Sequence, residues 1–435
     1  MAKKNGDQSR GSGEHRVSAS VDELLTAALA RGDESLETGR YIVTYKENAT
    51  DEAVRSLHAQ GLRVADARDF SEQAVTMEAV GDAEALVFPE IGAAVISGGA
   101  FQARGMSVQA EIPMESAVEA IEPEYFVFAN AIDGSSLYLR GFVRAAEAIA
   151  QDLRAPNEAE ISPEEDPLVV GATWGLIKCR VPQSLRSGAG IKVAVLDTGM
   201  DLGHPDFAGR VMVTQSFVGQ PVQDLHSHGT HCIGTASGPK APAGTTPRYG
   251  IAFRSQIFAG KVLTNSGSGT TANVLAGMNW AIANRCAVIS MSLGSSAPVQ
   301  AAYTAAGAAA LSKGCLIVAA SGNESSATGS PANSPTIMSV ASLDGSLSPS
   351  SFSNFGKVEI AAPGRDVFSS VPRPTRYGTK SGTSMATPHV AGCAALWAES
   401  NPALRGMTLW KKLQSTAKPL PFPAVRVGAG LVQAP

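Results

Sequence analysis

The most constraining feature of the sequence is a set of short, continuously apolar segments in its second half. Three of them span residues 191–196, 288–291 and 316–320, and each is followed by a glycine-rich turn and a helical pattern. A strand that is apolar at every position has both of its faces buried, and helices packed on both sides of a parallel sheet provide that cover. We therefore predict an α/β fold with a doubly wound, mostly parallel sheet and helices on both faces.

The first part of the chain has a different pattern. Residues 40–46 (RYIVTYK) read as a strand and residues 50–60 as a helix, and further short strands and helices follow to about residue 128. Strands and helices that alternate over so short a span predict a small α+β domain of the ferredoxin-like kind. Before it, residues 21–31 (VDELLTAALAR) predict a short helix with Val21, Leu24, Leu25 and Leu29 on its inner face.

With 435 residues the chain exceeds the size at which one hydrophobic core stops growing, so more than one domain is expected. The predicted parts are a polar N-terminal extension with a short helix (1–39), the small α+β domain (40–130), a linker or strap (131–172) and the α/β domain (173–435). Residues 1–20 are polar, and we expect them to be disordered. Residues 154–167 hold prolines and a run of acids with little to bury, which is typical of a linker.

Charge and composition exclude some function classes. The net charge of −4 favours neither nucleic acid nor an anionic membrane as a partner. The N-terminus, MAKKNGDQSRGSGEHRVSAS, has no apolar stretch behind its lysines, so it does not read as a secretory signal peptide. Five cysteines form an odd set, which mildly favours a reducing compartment. The expected location is therefore the cytoplasm, or the outside after export without a cleaved signal.

Four polar segments interrupt the α/β pattern at positions where chemistry is expected. Asp197 ends a buried strand in VLDTG, and the carboxyl ends of parallel strands are where such sheets place their sites. His228 opens HGTH, where Gly229 allows another backbone to approach closely. Asn323 follows the strand 316–320 in SGN, and Ser384 lies between a glycine-rich turn and a helix in GTSMATPH.

These residue types suit acyl transfer to a serine. A serine hydroxyl is a weak nucleophile at neutral pH and needs an adjacent base, and a buried carboxylate must hold that base in one tautomer. Ser384 at a helix N-terminus has backbone N–H groups beside it that favour developing negative charge. The side-chain amide of Asn323 can donate to the same oxyanion.

The order Asp, His, Ser along the chain and the segment GTSMATPHVAG at 382–392 resemble the subtilase family, and the resemblance extends from 174 to 430. It implies a subtilisin-like fold and a serine endopeptidase that works through an acyl-enzyme. By position, Asp197 would orient the imidazole, His228 would act as general base and then general acid, and Ser384 would attack. Asn323 and the Ser384 amide would form the oxyanion hole.

The resemblance also implies that a protein or peptide substrate binds as an added β-strand between two segments. The substrate-binding residues would be Ser292, Leu293 and Gly294 on one side and Ser266, Gly267, Ser268 and Gly269 on the other. Residues 40–47 and 119–129 resemble the family's propeptide, which implies a zymogen inhibited by its own prodomain. Autoprocessing would then fall near Ala129–Asn130 or within the linker.

No cofactor is expected for catalysis, and structural calcium is doubtful. Asp206 matches a calcium ligand of the family, but the loop 238–249 lacks the asparagine-containing run that would complete the site. A zinc site built from His226, His228 and His231 lacks matching carboxylate or thiolate ligands, and His231 reads better as a hydrogen-bonded core residue.

The sequence also allows alternatives to the serine endopeptidase interpretation, some for single motifs and some for the whole chain. A single Asp-Thr-Gly motif cannot form the paired carboxylates of an aspartic protease. Asp224 is either a buried partner of the site or a solvated loop acid. Two functional alternatives stay open: a protease-derived binding module that its prodomain holds shut, and a dedicated processing enzyme for one partner protein.

Overall fold

The computed structural model describes residues 16–32, 35–106, 116–129, 171–244 and 246–435. The predicted linker lies almost entirely outside these residues. The strands are β1 (Glu37–Tyr45), β2 (Val64–Asp66), β3 (Ala85–Phe88), β4 (Ala93–Ile96), β5 (Val118–Phe128), β6 (Lys192–Asp197), β7 (Met212–Ser216), β8 (Gln256–Lys261), β9 (Ser268–Thr270), β10 (Val288–Met291), β11 (Leu316–Ala320), β12 (Met338–Leu343), β13 (Ile360–Pro363), β14 (Val367–Ser370) and β15 (Tyr377–Lys380). The helices are α1 (Val21–Arg31), α2 (Thr50–Ala59), α3 (Gly98–Ala103), α4 (Trp174–Lys178), α5 (His228–Ser237), α6 (Thr271–Ala283), α7 (Ala301–Ser312), α8 (Thr383–Ser400), α9 (Gly406–Thr416) and α10 (Ala424–Val427).

The larger sheet has seven strands in the order β13-β12-β11-β10-β6-β8-β7, and every neighbouring pair is parallel. Its strands are apolar throughout because successive side chains enter two different cores. In β6, Val193 and Val195 pack in the core that also contains residues of α5 and α8. Ala194 and Leu196 pack in the core with residues of α6 and α7. The predicted doubly wound α/β architecture is thus confirmed.

The second sheet joins the two halves of the chain. It has six strands in the order β2-β3-β4-β1-β5-β9, of which the first five come from the N-terminal half and β9 comes from the C-terminal half. Strands β1 and β5 are antiparallel, and residues of α2 and α3 pack on this sheet in a core of their own. Strand β5 therefore leaves the small α+β unit and ends on the larger one.

The N-terminal extension differs from its prediction. Helix α1 has the predicted bounds, and Gly32 ends it in the left-handed region at φ 68°. However, the expected disorder is wrong for residues 16–20, since Val17 is fully buried and its carbonyl binds Arg40. Leu29, predicted on the inner face of the helix, is 38% exposed. In the described part of the chain, no helix is both long and apolar enough to cross a bilayer.

Candidate active site

Asp197 and His228 meet at the carboxyl edge of the seven-stranded sheet. Asp197 is the last residue of β6 and His228 the first of α5, and both side chains are almost completely buried. Asp197 Oδ1 lies 2.8 Å from His228 Nδ1 and accepts the Thr198 amide at 2.7 Å. Burial alone would raise the pKa of Asp197, but His228 and the Thr198 amide outweigh it and the net pKa is lowered. The carboxylate is therefore ionised and fixes the ring orientation.

A close backbone approach makes this pairing possible. A Cβ atom at Gly229 would lie 2.3 Å from the Gly199 carbonyl oxygen, a distance that no side chain tolerates. The Gly229 amide also donates to Thr198 Oγ1 at 2.8 Å. The first turn of α5 is thereby held against the end of β6, as the sequence predicted for the glycine beside the histidine.

Ser384 lies in the first turn of α8, close to this pair but without a hydrogen bond to His228. Its hydroxyl is directed at two carbonyl oxygens, those of Ala129 and Ser292, each at 3.2 Å. His228 Nε2 is buried and has no hydrogen-bond partner among the described residues. Hydrogen bonds between catalytic groups often form only when a substrate is in place, so this geometry is compatible with a serine–histidine pair.

Asn323 and the Ser384 amide converge on one point. Asn323 Oδ1 accepts hydrogen bonds from the Thr383 amide at 2.8 Å and the Thr383 hydroxyl at 3.0 Å, which leaves Nδ2 as the donor. A Cβ atom built on Gly382 would lie 3.5 Å from Asn323 Nδ2 and 3.6 Å from the Ser384 nitrogen. Two N–H donors therefore face the same small volume, as an oxyanion requires.

Strand β5 lies between the two segments that the sequence assigned to substrate. On one side it pairs antiparallel with β9, with Val127 opposite Gly269 and Phe128 opposite Ser268. The Ala129 amide donates to the Gly267 carbonyl at 2.9 Å. On the other side Phe128 and Gly294 exchange two backbone hydrogen bonds of 3.0 Å each.

The remaining predicted substrate residues lie in the segments beside this strand and beside Ser384. Leu293 packs in the same core as Val127, and the Ser292 hydroxyl donates to the Ser384 carbonyl at 2.7 Å. The Ser266 hydroxyl bonds to Ser268 Oγ at 2.8 Å. A cavity opens beside the serine, and Phe128 and Ala129 form part of its wall. Its lining includes Leu293, Gly294, Ser295, Gly322, Asn323, Glu324, Asn354 and Ser384.

The structure places two further charged side chains beside the site, and the sequence had left the burial of one open and had not indicated the other. Asp224 is fully buried and accepts hydrogen bonds from the Thr198 hydroxyl at 3.0 Å and the Thr230 hydroxyl at 2.7 Å, so it is not a solvated acid. Lys261, at the end of β8, is buried and donates to the Thr198 carbonyl and to Asn265 Oδ1. Burial lowers the pKa of Lys261 to about 8, although Asp224 and Asp197 act in the opposite direction. Lys261 ends an apolar strand, and nothing in the neighbouring sequence indicates that its amine binds the Thr198 carbonyl beside the site.

The histidines do not form a zinc site. His231 Nε2 binds the Val367 carbonyl at 2.9 Å in the core, as predicted. In the described ranges, the cluster of metal-ligating side chains consists of Asp197, His228 and Cys232. Burial raises the pKa of the Cys232 thiol well above its usual value, and a protonated thiol is a poor ligand. His228 Nδ1 is already used by Asp197.

Two tyrosine hydroxyls bind Asp206, the residue that matches a calcium ligand of the family. Asp206 accepts hydrogen bonds from Tyr249 and, at 3.1 Å, from Tyr377. The pKa values of both tyrosines are raised, by burial first and by Asp206 as well, so both hydroxyls keep their protons and donate. A carboxylate already bound to two O–H donors, facing a loop without an asparagine, does not fit a calcium site.

The chain resembles known proteins over the part that holds these residues. The model of the Subtilase family matches residues 188–430. An alkaline protease of Alkalihalobacillus alcalophilus is 40% identical over 268 residues, which cover 60% of this chain and 68% of that protein. Subtilisin Savinase of Lederbergia lenta is also 40% identical over 268 residues, with 96% of it covered. A crystal structure of a cold adapted subtilisin-like serine proteinase has 35% identity and a TM-score of 0.53, covering 61% of this chain and 98% of its own.

Proposed function

Because the chain belongs to the subtilase family of serine endopeptidases, we propose that it is made as a zymogen whose N-terminal part blocks the active site. The observation that carries this proposal is the position of strand β5 between Gly294 and β9. A peptide substrate bound as an added strand would use the same backbone donors and acceptors. Strand β5 and substrate therefore compete for one site.

Asp197, His228 and Ser384 carry the reaction in this proposal. The Ser384 hydroxyl attacks the substrate carbonyl and gives its proton to His228 Nε2, which forms a tetrahedral intermediate. The intermediate collapses to an acyl-enzyme as His228 returns the proton to the leaving amine. Water then repeats the sequence, and its attack releases the new carboxyl end and restores Ser384. The 2.8 Å bond from His228 Nδ1 to Asp197 supports the imidazolium that forms in each step.

The oxyanion of each intermediate is stabilised by Asn323 Nδ2 and the Ser384 amide. Both donors are fixed before the substrate arrives, since Thr383 holds the Asn323 side chain and α8 holds the amide. Donors that do not have to reorganise stabilise a developing charge better than water does.

Self-cleavage is proposed at the Ala129–Asn130 bond or at the bond that follows it. The Ala129 carbonyl oxygen accepts the Ser384 hydroxyl at 3.2 Å, and Ala129 lines the cavity beside the serine. The prodomain and the N-terminal extension would then end at residue 129 or 130, and the linker that follows, to residue 172, would precede the peptidase domain. After cleavage β5 would keep its backbone pairing and inhibit the enzyme as a product.

Intact-mass spectrometry with a fluorophosphonate probe tests the proposal. Wild type should lose its N-terminal part and take one adduct, and the fragment masses decide between the two bonds. Ser384→Ala should stay full length and unlabelled, while the matched control Ser381→Ala should behave as wild type. Wild type that does not cleave itself, and that stays unlabelled even after limited proteolysis of the linker, would instead be a binding module. A labelled enzyme that cleaves one partner and no general protein substrate would be a dedicated processing enzyme.

A further inference from the structure

Residues 16–32, here called the strap, lie over the strand that occupies the active site. The strap comprises a short turn at residues 16–20 and helix α1, and α1 contacts both β1 and β9. Its buried side chains include Val17, Leu24 and Ala28, each with no exposed surface. The strap is thus a packed element, although it precedes the small α+β unit along the chain.

Both ends of the strap helix are defined by local interactions. The Ser20 hydroxyl accepts the Glu23 amide at 3.3 Å, and the Glu23 carboxylate accepts the Ser20 amide at 2.8 Å, which forms a capping box. Gly32 ends the helix in a left-handed conformation. The bounds of the helix are therefore set by its own sequence, independently of the strand that it covers.

The strap covers the outer face of β5. Successive side chains of a strand point to opposite sides. Val127 packs on one side, in the core of the peptidase unit with Leu263 and Leu293. Phe126 and Phe128 pack on the other side in a cluster with Leu24 and Ala28 of the strap.

This cover is nearly complete, since Phe126 is fully buried and Phe128 is 2% exposed. Without the strap both rings would lose the cover of Leu24 and Ala28, and phenylalanine side chains bury large apolar areas. The strap therefore adds to the free energy with which β5 is held in the cleft.

Arg40 ties the strap to the strand and to the cleft. Its guanidinium is buried and makes bonds of 2.6 and 2.9 Å to the Glu124 carboxylate of β5. It also donates to the Val17 carbonyl of the strap at 2.8 Å and to Thr270 Oγ1 of β9 at 3.1 Å. One cation thus connects the strap, β1, β5 and the edge strand of the active site. Loss of the strap would leave part of this buried charge without its acceptor.

We propose that the strap is a separate lock on self-inhibition, so that β5 leaves the active site only after the strap has moved away. The regulatory role rests on the proposed zymogen function, whereas the effect of the strap on β5 is a property of the structure alone. Removal of the strap, for instance by proteolysis of the N-terminus in trans, would then be the activating step. Cleavage of the chain after β5 would not be sufficient for activity.

Hydrogen exchange on the full chain tests the lock directly. The background is Ser384→Ala, which keeps the chain whole, and the readout is the exchange of residues 125–129, where the Phe128 and Ala129 amides are bonded to the cleft. Leu24→Ala should speed this exchange about tenfold or more, because it opens a cavity against Phe126 and Phe128. Leu24→Val should give a smaller effect of the same sign. The matched control is Leu29→Ala, on the exposed side of the same helix, which should leave the exchange unchanged.

A second measurement tests the regulatory step with Ser384 intact. Leu24→Ala should shorten the delay before peptidase activity appears by a similar factor, while Leu29→Ala should not. If Leu24→Ala speeds exchange only within 16–32 and leaves residues 125–129 protected, the lock is refuted. If the exchange responds as expected but wild type takes no fluorophosphonate adduct, the proposed function fails and the structural lock stands. Leu24→Val covers the case in which Leu24→Ala does not fold.

Discussion

At the scale of single residues, Asn323 has two functions: its Oδ1 accepts hydrogen bonds from Thr383, and its Nδ2 is the donor to the oxyanion. Asn323→Asp keeps the acceptor for Thr383 and places a carboxylate oxygen where the Nδ2 donor stood. We expect kcat to fall by about 10²–10³, the loss known for one oxyanion donor in subtilisin, with a much smaller change in KM. Steady-state kinetics on a chromogenic peptide measure both constants. A rise in KM at constant kcat would show that Asn323 binds substrate rather than the transition state.

Asp206 allows a second prediction at this scale. Because Tyr249 and Tyr377 supply its hydrogen bonds, we propose that no calcium is needed at this position. Addition of EDTA to Ser384→Ala should leave the midpoint of thermal unfolding within about 1 °C, since a stabilising ligand would shift it by mass action. Tyr377→Phe should lower the free energy of unfolding by about 1 kcal/mol. A fall of many degrees with EDTA, reversed by added calcium, would contradict the proposal.

The identities of the catalytic residues could be predicted from the sequence, but some of their contacts could not. Asp197, His228 and Ser384 were found because each lies in a short motif of the family. The pattern did not determine whether Asp224 was buried, since a loop acid cannot be told from a solvated one until its hydrogen-bond donors are known. The missing bond between Ser384 and His228 could not be predicted either. It depends on the Ala129 carbonyl, which is 255 positions away in the sequence.

At the scale of elements, two acids of β5 contact the first turns of two helices of the peptidase unit. Glu122 accepts the Ala301 and Ala302 amides of α7 at 3.0 and 3.2 Å. Glu124 accepts the Ala272 amide of α6 at 2.9 Å and also binds Arg40. Carboxylates at helix N-termini are favourable because the first amides have no partner within the helix.

The two acids should differ in their importance. Glu124→Gln leaves the Arg40 charge buried without its partner, and breaking such a pair costs about 3–5 kcal/mol. Glu122→Gln removes only a charge at a helix end, worth about 0.3–1 kcal/mol. In Ser384→Ala, we therefore expect the thermal midpoint to fall by several degrees for Glu124→Gln and by much less for Glu122→Gln. Equal shifts would mean that the ion pair with Arg40 adds nothing to docking.

Single helices and strands were predicted more accurately than the way in which they pack and pair with one another. The apolar strands of the large sheet and the bounds of α1 followed from local periodicity. The predicted inner face of α1 was right for Val21 and Leu24, which are buried, and wrong for Leu29, which is 38% exposed. The addition of β9 to the N-terminal sheet also depends on long-range pairing, which a local pattern does not contain.

At the scale of the whole molecule, stability should depend on pH through two buried histidines. His231 and His389 are fully buried, and burial lowers their pKa values to about 3 and about 4. Both are therefore neutral in the folded chain at pH values where the unfolded chain, with an ordinary pKa near 6.5, binds protons. Unfolding takes up protons between these limits, so stability is full above about pH 6.5 and declines as the pH falls towards 4.

The slope of this decline is a quantitative prediction. Each histidine contributes up to about 1.4 kcal/mol per pH unit, and the two together up to about 2.7. Urea unfolding of Ser384→Ala between pH 7 and 5 measures it, because carboxylates with lowered pKa values add to the slope below about pH 5. His389→Gln should roughly halve the slope, while the exposed His58→Gln should leave it unchanged. A slope that His389→Gln does not alter would mean that another group takes up the proton, so that burial of the histidines is not the cause.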